Sequence, residues 1–286
     1  APPASGPPAG PLGLVAGAGA LPVEVAEAVA ASGQPLRAVL IEGFADPARW
    51  RHVPHRVIRL GAAGAGIAWL RGQGVSDLVM AGKVTRPSIL ALRPDAATAG
   101  YLARIGARAF SGDDGLLSAV RDVLRAEGFR LLGPEQVMRG LQVPEGLMSR
   151  AAPDALAMAD IARGVVVLRA LGPADVGQAV AVQAGLVLAV EAIEGTDAMI
   201  ARAGALRREG PGGVLVKMVK PAQDRALDMP GLGPDTVAAA AAAGLRGIAF
   251  EARGAILVER ERFVRDADAA GLFLLAIHPG DHARGG

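Results

Sequence analysis

The chain has 286 residues, of which 51% are hydrophobic, and its formal net charge is +2. This length is enough for two domains that each bury a core. The lack of cysteine excludes disulfides, thiol nucleophiles and thiolate metal sites, and an aromatic content of 3% disfavours nucleic acid as a partner. No apolar run approaches the ~20 residues that a membrane-spanning helix needs, and the proline-rich start does not resemble a signal peptide, so we expect a cytoplasmic protein.

Strands and helices alternate through the first half of the chain. Short apolar runs predict the strands, and apolar residues at helical spacing predict the helices between them. This alternation favours an α/β fold with a parallel sheet covered on both faces, here a Rossmann-like domain over residues 12–133. The proline-rich residues 1–11 predict a flexible tail. The predicted strands are 12–16, 37–41, 77–82 and 130–132, and the predicted helices are 23–31, 66–74 and 116–129.

The second half of the chain begins with a break in this rhythm. Residues 134–155 carry three prolines and no clear period, which predicts an interdomain linker. Beyond it we predict a C-terminal α/β catalytic domain over residues 156–286 with a mixed sheet, because the apolar runs at 178–185 and 186–192 resemble a hairpin. The other predicted helices are 156–171, 195–206, 236–245 and 259–271, and the other predicted strands lie within 212–219, 247–258 and 272–278.

A glycine-containing loop, GAGALP, follows the first predicted strand. Gly17, Gly19 and Ala20 would let the backbone approach a phosphate at the N-terminus of the next helix. Glu42 ends the second strand, where a dinucleotide-binding fold has its ribose-binding acid, but Pro22 stands in place of the third glycine of that fingerprint. A phosphate loop, a plain tight turn and the dinucleotide site of an NAD(P)-dependent oxidoreductase all stay open.

A polar segment, AGKVTRPS, follows the third predicted strand. Its cations Lys83 and Arg86 would face an anion at the carboxyl edge of the sheet, where open α/β folds bind their ligands. A solvated loop is the alternative interpretation.

Acidic residues gather where a buried strand meets a helix in the segment VEAIEGTDAMI. Thr196 or Asp197 can cap the helix, which leaves Glu191 and Glu194 as more acids than capping needs. Such a cluster can hold Mg²⁺ through oxygen ligands. The alternative is an acidic helix start that complements the helix dipole.

The densest mixture of charges follows the strand-like run VLVK. Lys217, Lys220, Gln223 and Asp228 lie within a dozen positions, among prolines and glycines. Mg²⁺-assisted phosphate chemistry uses this combination, with carboxylates for the ion and cations for the phosphate oxygens. The alternative is a hydrated surface loop.

Several of these segments together resemble the UDP-2,3-diacylglucosamine pyrophosphatase family of lipid A biosynthesis, and not the calcineurin-like enzymes that do the same work. The similarity extends from Leu12 to about Phe273. The segments are LGLVAGAGALPVEVA, GFADP, AGKVTRP, DVGQAVAVQAGLVLAVEAIEGTDAMI and KMVKPAQDRALDMPGLGPDTV.

The resemblance implies hydrolysis of UDP-2,3-diacylglucosamine to UMP and 2,3-diacylglucosamine 1-phosphate (lipid X), with water attacking the phosphate on the sugar side. It also implies a divalent cation, usually Mg²⁺, and a lipid product held between a Rossmann-like domain and a C-terminal α/β domain. The aspartate that such enzymes need matches Asp228, while residues between Gln223 and Asp228 depart from the family's pattern, so Asp224 and Arg225 receive no role.

The interpretation of the individual segments and the family resemblance together give one set of expected site residues. The expected catalytic residues are Asp228, Lys220 and Gln223, and the expected metal ligands are Asp228, Asp197, Glu194 and Glu191. The expected substrate-binding residues are Gly17, Gly19, Ala20, Lys83, Arg86, Thr196 and Lys217.

The expected partners are the lipid-linked substrate and product, with transient contact with the inner leaflet of the membrane. The sequence allows a homodimer without requiring one. Besides the oxidoreductase that would use Gly17, Gly19 and Glu42, a sugar-nucleotide or lipid-binding module without turnover is the second alternative.

Overall fold

The computed structural model describes residues 10–84, 93–106, 112–138, 143–220 and 230–282, and for residues 112–117 it describes the backbone alone. Internal contacts divide the chain into two compact units, with the division between residues 139 and 140. Of the predicted flexible tail, only residues 10 and 11 lie within these ranges.

The N-terminal unit is built on one parallel sheet with the strand order β3-β2-β1-β4-β5. This is the order of a Rossmann-like fold, so the predicted fold class is confirmed for this unit. Its strands are β1 (Leu12–Ala16), β2 (Leu36–Ile41), β3 (His55–Ile58), β4 (Asp77–Ala81) and β5 (Arg130–Leu132). Its helices are α1 (Leu21–Ala31), α2 (Ala63–Gly72), α3 (Ala96–Ile105), α4 (Gly112–Ala126) and α5 (Pro134–Val137).

The central strands of this sheet are apolar because they are buried on both faces. Leu12 and Leu14 of β1 are fully buried on the face that also buries Val25 and Val29 of α1. Strand β3 was not predicted, because an edge strand with the sequence HRVI has no apolar run.

Helix α3 was not predicted either, and it is joined to α2 by polar capping. The carboxylate of Asp95 accepts hydrogen bonds from the backbone N–H of Thr98, at 2.7 Å, and of Ala65, at 3.3 Å. Burial tends to raise the pKa of Asp95, but these hydrogen bonds outweigh it and hold the pKa below its ordinary value. The ionised carboxylate therefore stabilises the beginnings of both helices.

The C-terminal unit is built on a mixed sheet with the order β6-β13-β11-β9-β7-β8, which confirms the predicted mixed sheet. Strands β6 and β7 run antiparallel to their neighbours, and a separate parallel pair joins β10 to β12. Its strands are β6 (Gly146–Leu147), β7 (Ala179–Gln183), β8 (Leu186–Val190), β9 (Val214–Lys217), β10 (Gly231–Leu232), β11 (Gly247–Glu251), β12 (Ile256–Leu257) and β13 (Phe273–Ile277). Its helices are α6 (Ala155–Leu171), α7 (Thr196–Ala205), α8 (Pro234–Ala242) and α9 (Arg260–Ala270).

The predicted hairpin is confirmed as β7 and β8, and a buried acid supports its turn. Asp160 of α6 accepts hydrogen bonds from the backbone N–H of Gly185, at 2.7 Å, and of Ala184, at 3.1 Å. Because β7 is antiparallel to both β8 and β9, those two strands run in the same direction. The carboxyl ends of β8, β9, β11 and β13 therefore share one edge of the sheet, which we call the carboxyl edge.

The segment predicted as a linker, 134–155, includes helix α5 and strand β6, which pairs with β13. Within the described ranges, no helix combines the length and the apolar character needed to cross a lipid bilayer.

Candidate functional site

The predicted phosphate loop lies where β1 and β4 end side by side, at the point where the strand order reverses. The N–H of Gly17 donates to the carbonyl of Ala81 at 2.8 Å, and the N–H of Ala18 donates to the carbonyl of Lys83 at 2.9 Å. A Cβ on Gly17 would lie 2.7 Å from the Lys83 carbonyl oxygen. The first glycine of the loop is thus explained by a close approach of two backbone segments.

The rest of this loop keeps the prediction of phosphate binding open. Gly19 has a φ of +101°, which favours glycine, and Ala20 is the N-cap of α1 without a side-chain hydrogen bond. The side chain of Lys83 is exposed at the end of the neighbouring strand. Arg86, the other predicted cation, lies outside the described residues.

Glu42, the acid of the oxidoreductase alternative, directly follows β2 and is exposed. It lies on a groove of about 340 Å³ at the ends of β2 and β3. The groove is lined by Glu42, Arg56, Val57, Ile58, Arg59, Ala62 and Ala65.

Three predicted site residues meet at the carboxyl edge of the C-terminal unit. The Lys217 ammonium donates a hydrogen bond to the Thr196 hydroxyl at 2.9 Å, and that hydroxyl donates to the Glu191 carboxylate at 2.7 Å. Lys217 is 5% exposed and Glu191 is 7% exposed. The hydroxyl therefore links a buried cation to a buried anion.

Backbone groups extend this series of hydrogen bonds at both of its ends. The other oxygen of Glu191 accepts a hydrogen bond from the N–H of Gln178 at 3.2 Å, and the Lys217 ammonium also donates to the Gly231 carbonyl at 3.2 Å. Buried polar groups are stabilised when they have such partners, and they fix the backbone that they contact.

Lys220, a predicted catalytic residue, forms an ion pair with Asp175. Asp175 follows α6 and has a left-handed backbone conformation with φ of +53°. Sequence reasoning did not assign Asp175 a role, because a single acid after a helix is also a common feature of turns.

Glu251 is a second residue that sequence reasoning missed. It is the last residue of β11, and its carboxylate accepts a hydrogen bond from the backbone N–H of Val219 at 3.0 Å. A signal was present, because the strand GIAFE ends on a charged residue in the same way as VLVK does.

The predicted metal ligands among the described residues do not converge on one site. Glu194 forms an ion pair with Arg202, and its own backbone N–H together with that guanidinium lowers the pKa of its carboxyl group. Asp197 lies exposed in the first turn of α7. In the part of the chain that the structure describes, no three acidic or histidine side chains are grouped so that they could hold a metal ion.

An open depression of about 700 Å³ lies beside this junction of β8 and α7. Apolar side chains, two acids and one arginine form its surface, which suits a ligand with both polar and apolar parts. The lining residues are Val176, Val190, Glu191, Ala192, Glu194, Ala198 and Arg202. Asp228 and Gln223, the other predicted catalytic residues, lie outside the described residues.

Comparison with known proteins assigns both units to one family. The family model of the LpxI N-terminal domain matches residues 11–141, and that of the LpxI C-terminal domain matches residues 144–275. The chain belongs to the LpxI family. The two LpxI models meet between residues 141 and 144, close to the division between the two compact units.

A relative from Caulobacter vibrioides, UDP-2,3-diacylglucosamine pyrophosphatase LpxI, is 41% identical over 274 residues. The match covers 94% of this chain and 98% of the relative. The family resemblance stated from the sequence is thus confirmed, and the oxidoreductase alternative is not favoured. A solved structure of CobK precorrin-6A reductase covers 94% of this chain and 88% of its own, with a TM-score of 0.32 and 14% identity, so no argument rests on it.

Proposed function

We propose that this LpxI chain hydrolyses the pyrophosphate of UDP-2,3-diacylglucosamine, giving UMP and 2,3-diacylglucosamine 1-phosphate. The observation that carries this proposal is the 41% identity to the Caulobacter vibrioides pyrophosphatase along 98% of that relative's length. The chain is an enzyme of the phosphoric anhydride hydrolase class.

The carboxyl edge of the C-terminal sheet is the proposed location of the chemistry. In α/β sheets ligands bind outside the carboxyl ends of the strands, and this edge holds the chain of Glu191, Thr196 and Lys217. Asp228 is our proposed catalytic carboxylate, which orients the attacking water. Lys220 and Gln223 are proposed to contact the pyrophosphate oxygens as the P–O bond breaks.

The N-terminal unit is proposed to bind a phosphate or the nucleotide part of the substrate. Two observations support this. The loop lies at the reversal of strand order, and α1 begins directly after it, so its N–H groups and dipole favour an anion there. Gly19, Ala20, Lys83 and Arg86 are the proposed contacts, with Gly17 holding the loop against the β4 side.

Mg²⁺, or another divalent cation, is the proposed cofactor. When bound, it would neutralise developing charge on the pyrophosphate. The described acids do not form a ligand set by themselves. We propose Asp228 as the principal ligand and Asp197, in the first turn of α7, as the second.

Contact with the inner leaflet is proposed for delivery of a diacylated substrate and product. Ile193, between β8 and α7, is 96% exposed, and Val176 on the neighbouring depression is 41% exposed. Apolar side chains at the rim of a site suit acyl chains or the membrane from which they come.

The decisive assay measures UMP release from UDP-2,3-diacylglucosamine with Mg²⁺. We expect turnover by the natural chain and a loss of at least about 100-fold in kcat for Asp228→Ala, as for loss of a group needed in the transition state. Asp235→Ala is the matched control, since Asp235 is an exposed acid in the first turn of α8. Absence of UMP release by the natural chain, or full activity of Asp228→Ala, would contradict the proposal.

A further inference from the structure

We infer that Glu42 binds the ribose of the uridine part of the substrate and gives the N-terminal unit a preference for ribose over 2′-deoxyribose. This inference rests on the proposed function, because it specifies the part of the substrate that this unit binds. It depends on the groove at the ends of β2 and β3, which is separate from the glycine-containing loop after β1. All residues that carry it belong to the N-terminal unit.

Three parallel strands end side by side at the edge of the sheet where the glycine-containing loop lies. Ala16 of β1 is in register with Leu40 of β2, and Ile41 of β2 is in register with Ile58 of β3. Neighbouring strands are about 4.8 Å apart, so the end of β2 is roughly one strand width from the loop. A nucleoside monophosphate that lies across these ends has its phosphate after β1, its ribose after β2 and its base after β3.

The groove of about 340 Å³ has a carboxylate at the ribose position, because Glu42 lines it directly after β2. The backbone N–H of Glu42 donates to the Ile58 carbonyl at 2.8 Å, which fixes the backbone of this residue beside β3. An ionised carboxylate accepts hydrogen bonds at both of its oxygens, and the neighbouring 2′ and 3′ hydroxyls of ribose donate two. Without the 2′ hydroxyl, one of these hydrogen bonds is lost.

The N-terminus of α2, which borders the groove, already has an anion of the protein as its partner. Ala65 lines the groove, and its N–H donates to the Asp95 carboxylate at 3.3 Å. The N–H of Gly64 donates to the Thr98 hydroxyl at 3.1 Å. Asp95 thus takes the place that a helix N-terminus offers to an anion. Because Glu42 adds a second carboxylate to this groove, the groove favours neutral hydroxyls over a second phosphate.

The end of β3, where the base would lie, has guanidinium groups. Arg56 and Arg59 line the groove, and both residues are exposed. A guanidinium has donors and no acceptor, so it suits the two carbonyl oxygens of uracil, whereas the edge of adenine carries an amino donor. The groove therefore favours a uracil nucleotide over an adenine nucleotide, in agreement with the uridine part of the proposed substrate.

Isothermal titration calorimetry with UMP and 2′-deoxy-UMP tests this inference without turnover. We expect the natural chain to bind UMP on the order of 10-fold more tightly than 2′-deoxy-UMP, the scale of one hydrogen bond to a charged group. Glu42→Ala should weaken UMP binding by on the order of 10-fold or more and bring the two dissociation constants within about 2-fold of each other. AMP should bind the natural chain more weakly than UMP.

Glu27→Ala is the matched control for the loss of a negative charge. Glu27 is exposed on α1 and does not line the groove. The substitution removes the same charge from the same unit, so the preference for UMP over 2′-deoxy-UMP should stay as in the natural chain. Far-UV circular dichroism verifies folding of each variant.

The outcomes separate this inference from the proposed function. If the natural chain releases no UMP from UDP-2,3-diacylglucosamine, the proposed function is wrong, whatever the calorimetry shows. If the natural chain turns the substrate over, three results overturn the inference alone: no saturable binding of UMP, equal binding of UMP and 2′-deoxy-UMP, or an undiminished preference for UMP in Glu42→Ala. AMP bound as tightly as UMP would overturn the assignment of the base to the two arginines.

Discussion

Replacing Lys217 by methionine tests the energetics of the buried polar chain directly. The substitution keeps most of the apolar stem and removes the ammonium that contacts Thr196 and Gly231. Glu191, at 7% exposure, then keeps its negative charge without the cation that the Thr196 hydroxyl links to it. A buried charge that loses its compensation is destabilising.

The magnitude follows from the contacts. Breaking a buried charge pair costs about 3–5 kcal/mol, and losing a hydrogen bond to a charged group costs about 1.5–3 kcal/mol. Because a hydroxyl bridges Lys217 and Glu191, we expect Lys217→Met to lower the unfolding free energy by about 2–3 kcal/mol. The double variant Lys217→Met/Glu191→Gln removes both charges and should cost less than the sum of the two single changes by about 1–2 kcal/mol.

Urea unfolding measures these differences, with two probes that separate the units. Both tryptophans, Trp50 and Trp69, lie in the N-terminal unit, so their fluorescence follows that unit. Far-UV circular dichroism follows both units. The Lys217→Met transition should therefore move to lower urea in circular dichroism more than in fluorescence.

Two results would refute this reasoning. One is a cost below about 0.5 kcal/mol for Lys217→Met, which is the scale of ordinary surface changes. The other is strict additivity in the double variant, which would mean that Thr196 does not couple the two charges.

The remaining predictions concern the N-terminal unit. Gly17→Ala should destabilise this unit by about 1–3 kcal/mol, because the new methyl group would lie 2.7 Å from a facing carbonyl oxygen. Gly100→Ala in α3, with open space around it, should stabilise the unit by about 0.5–1 kcal/mol. The midpoints of urea unfolding compare the two variants, and equal shifts would contradict the packing argument. Asp95→Ala should cost about 1 kcal/mol at pH 7. That difference should begin to decrease as pH falls below the unfolded pKa of about 3.9, and it should be lost as pH falls through the folded pKa of Asp95, which is lower. A cost that stays constant over this range would contradict the prediction. Titration with NADH or NADPH should leave tryptophan fluorescence without a saturable change, and a saturable change would revive the oxidoreductase alternative.

The fold class and several of the polar residues at the carboxyl edge could be predicted, because both follow from the local order of apolar and polar residues. Apolar runs between helices predicted the parallel sheet. Polar residues at the ends of strands indicated Glu191 and Lys217, and the start of the following helix indicated Thr196. Their contact could not be predicted, because it depends on β7 lying antiparallel between β8 and β9. Which strands are neighbours is a property of the tertiary fold.

Other features were missed because their local signal is ambiguous. Glu251 ends a strand, as many solvated acids do, and only its contact with the Val219 N–H distinguishes it. In the sequence, Gly17 indicated a phosphate loop. In the structure, its lack of a side chain is explained by the backbone after β4, whose Lys83 carbonyl oxygen would lie 2.7 Å from a Cβ on Gly17. The same residue type serves both needs, and the sequence alone does not separate them.

Hydrolysis of UDP-2,3-diacylglucosamine in ¹⁸O-labelled water tests the central claim most directly. The account predicts that the label enters 2,3-diacylglucosamine 1-phosphate and that UMP remains unlabelled, because the family resemblance implies attack of water on the phosphate on the sugar side. Label in UMP, or the failure of the natural chain to release either product, would contradict the account.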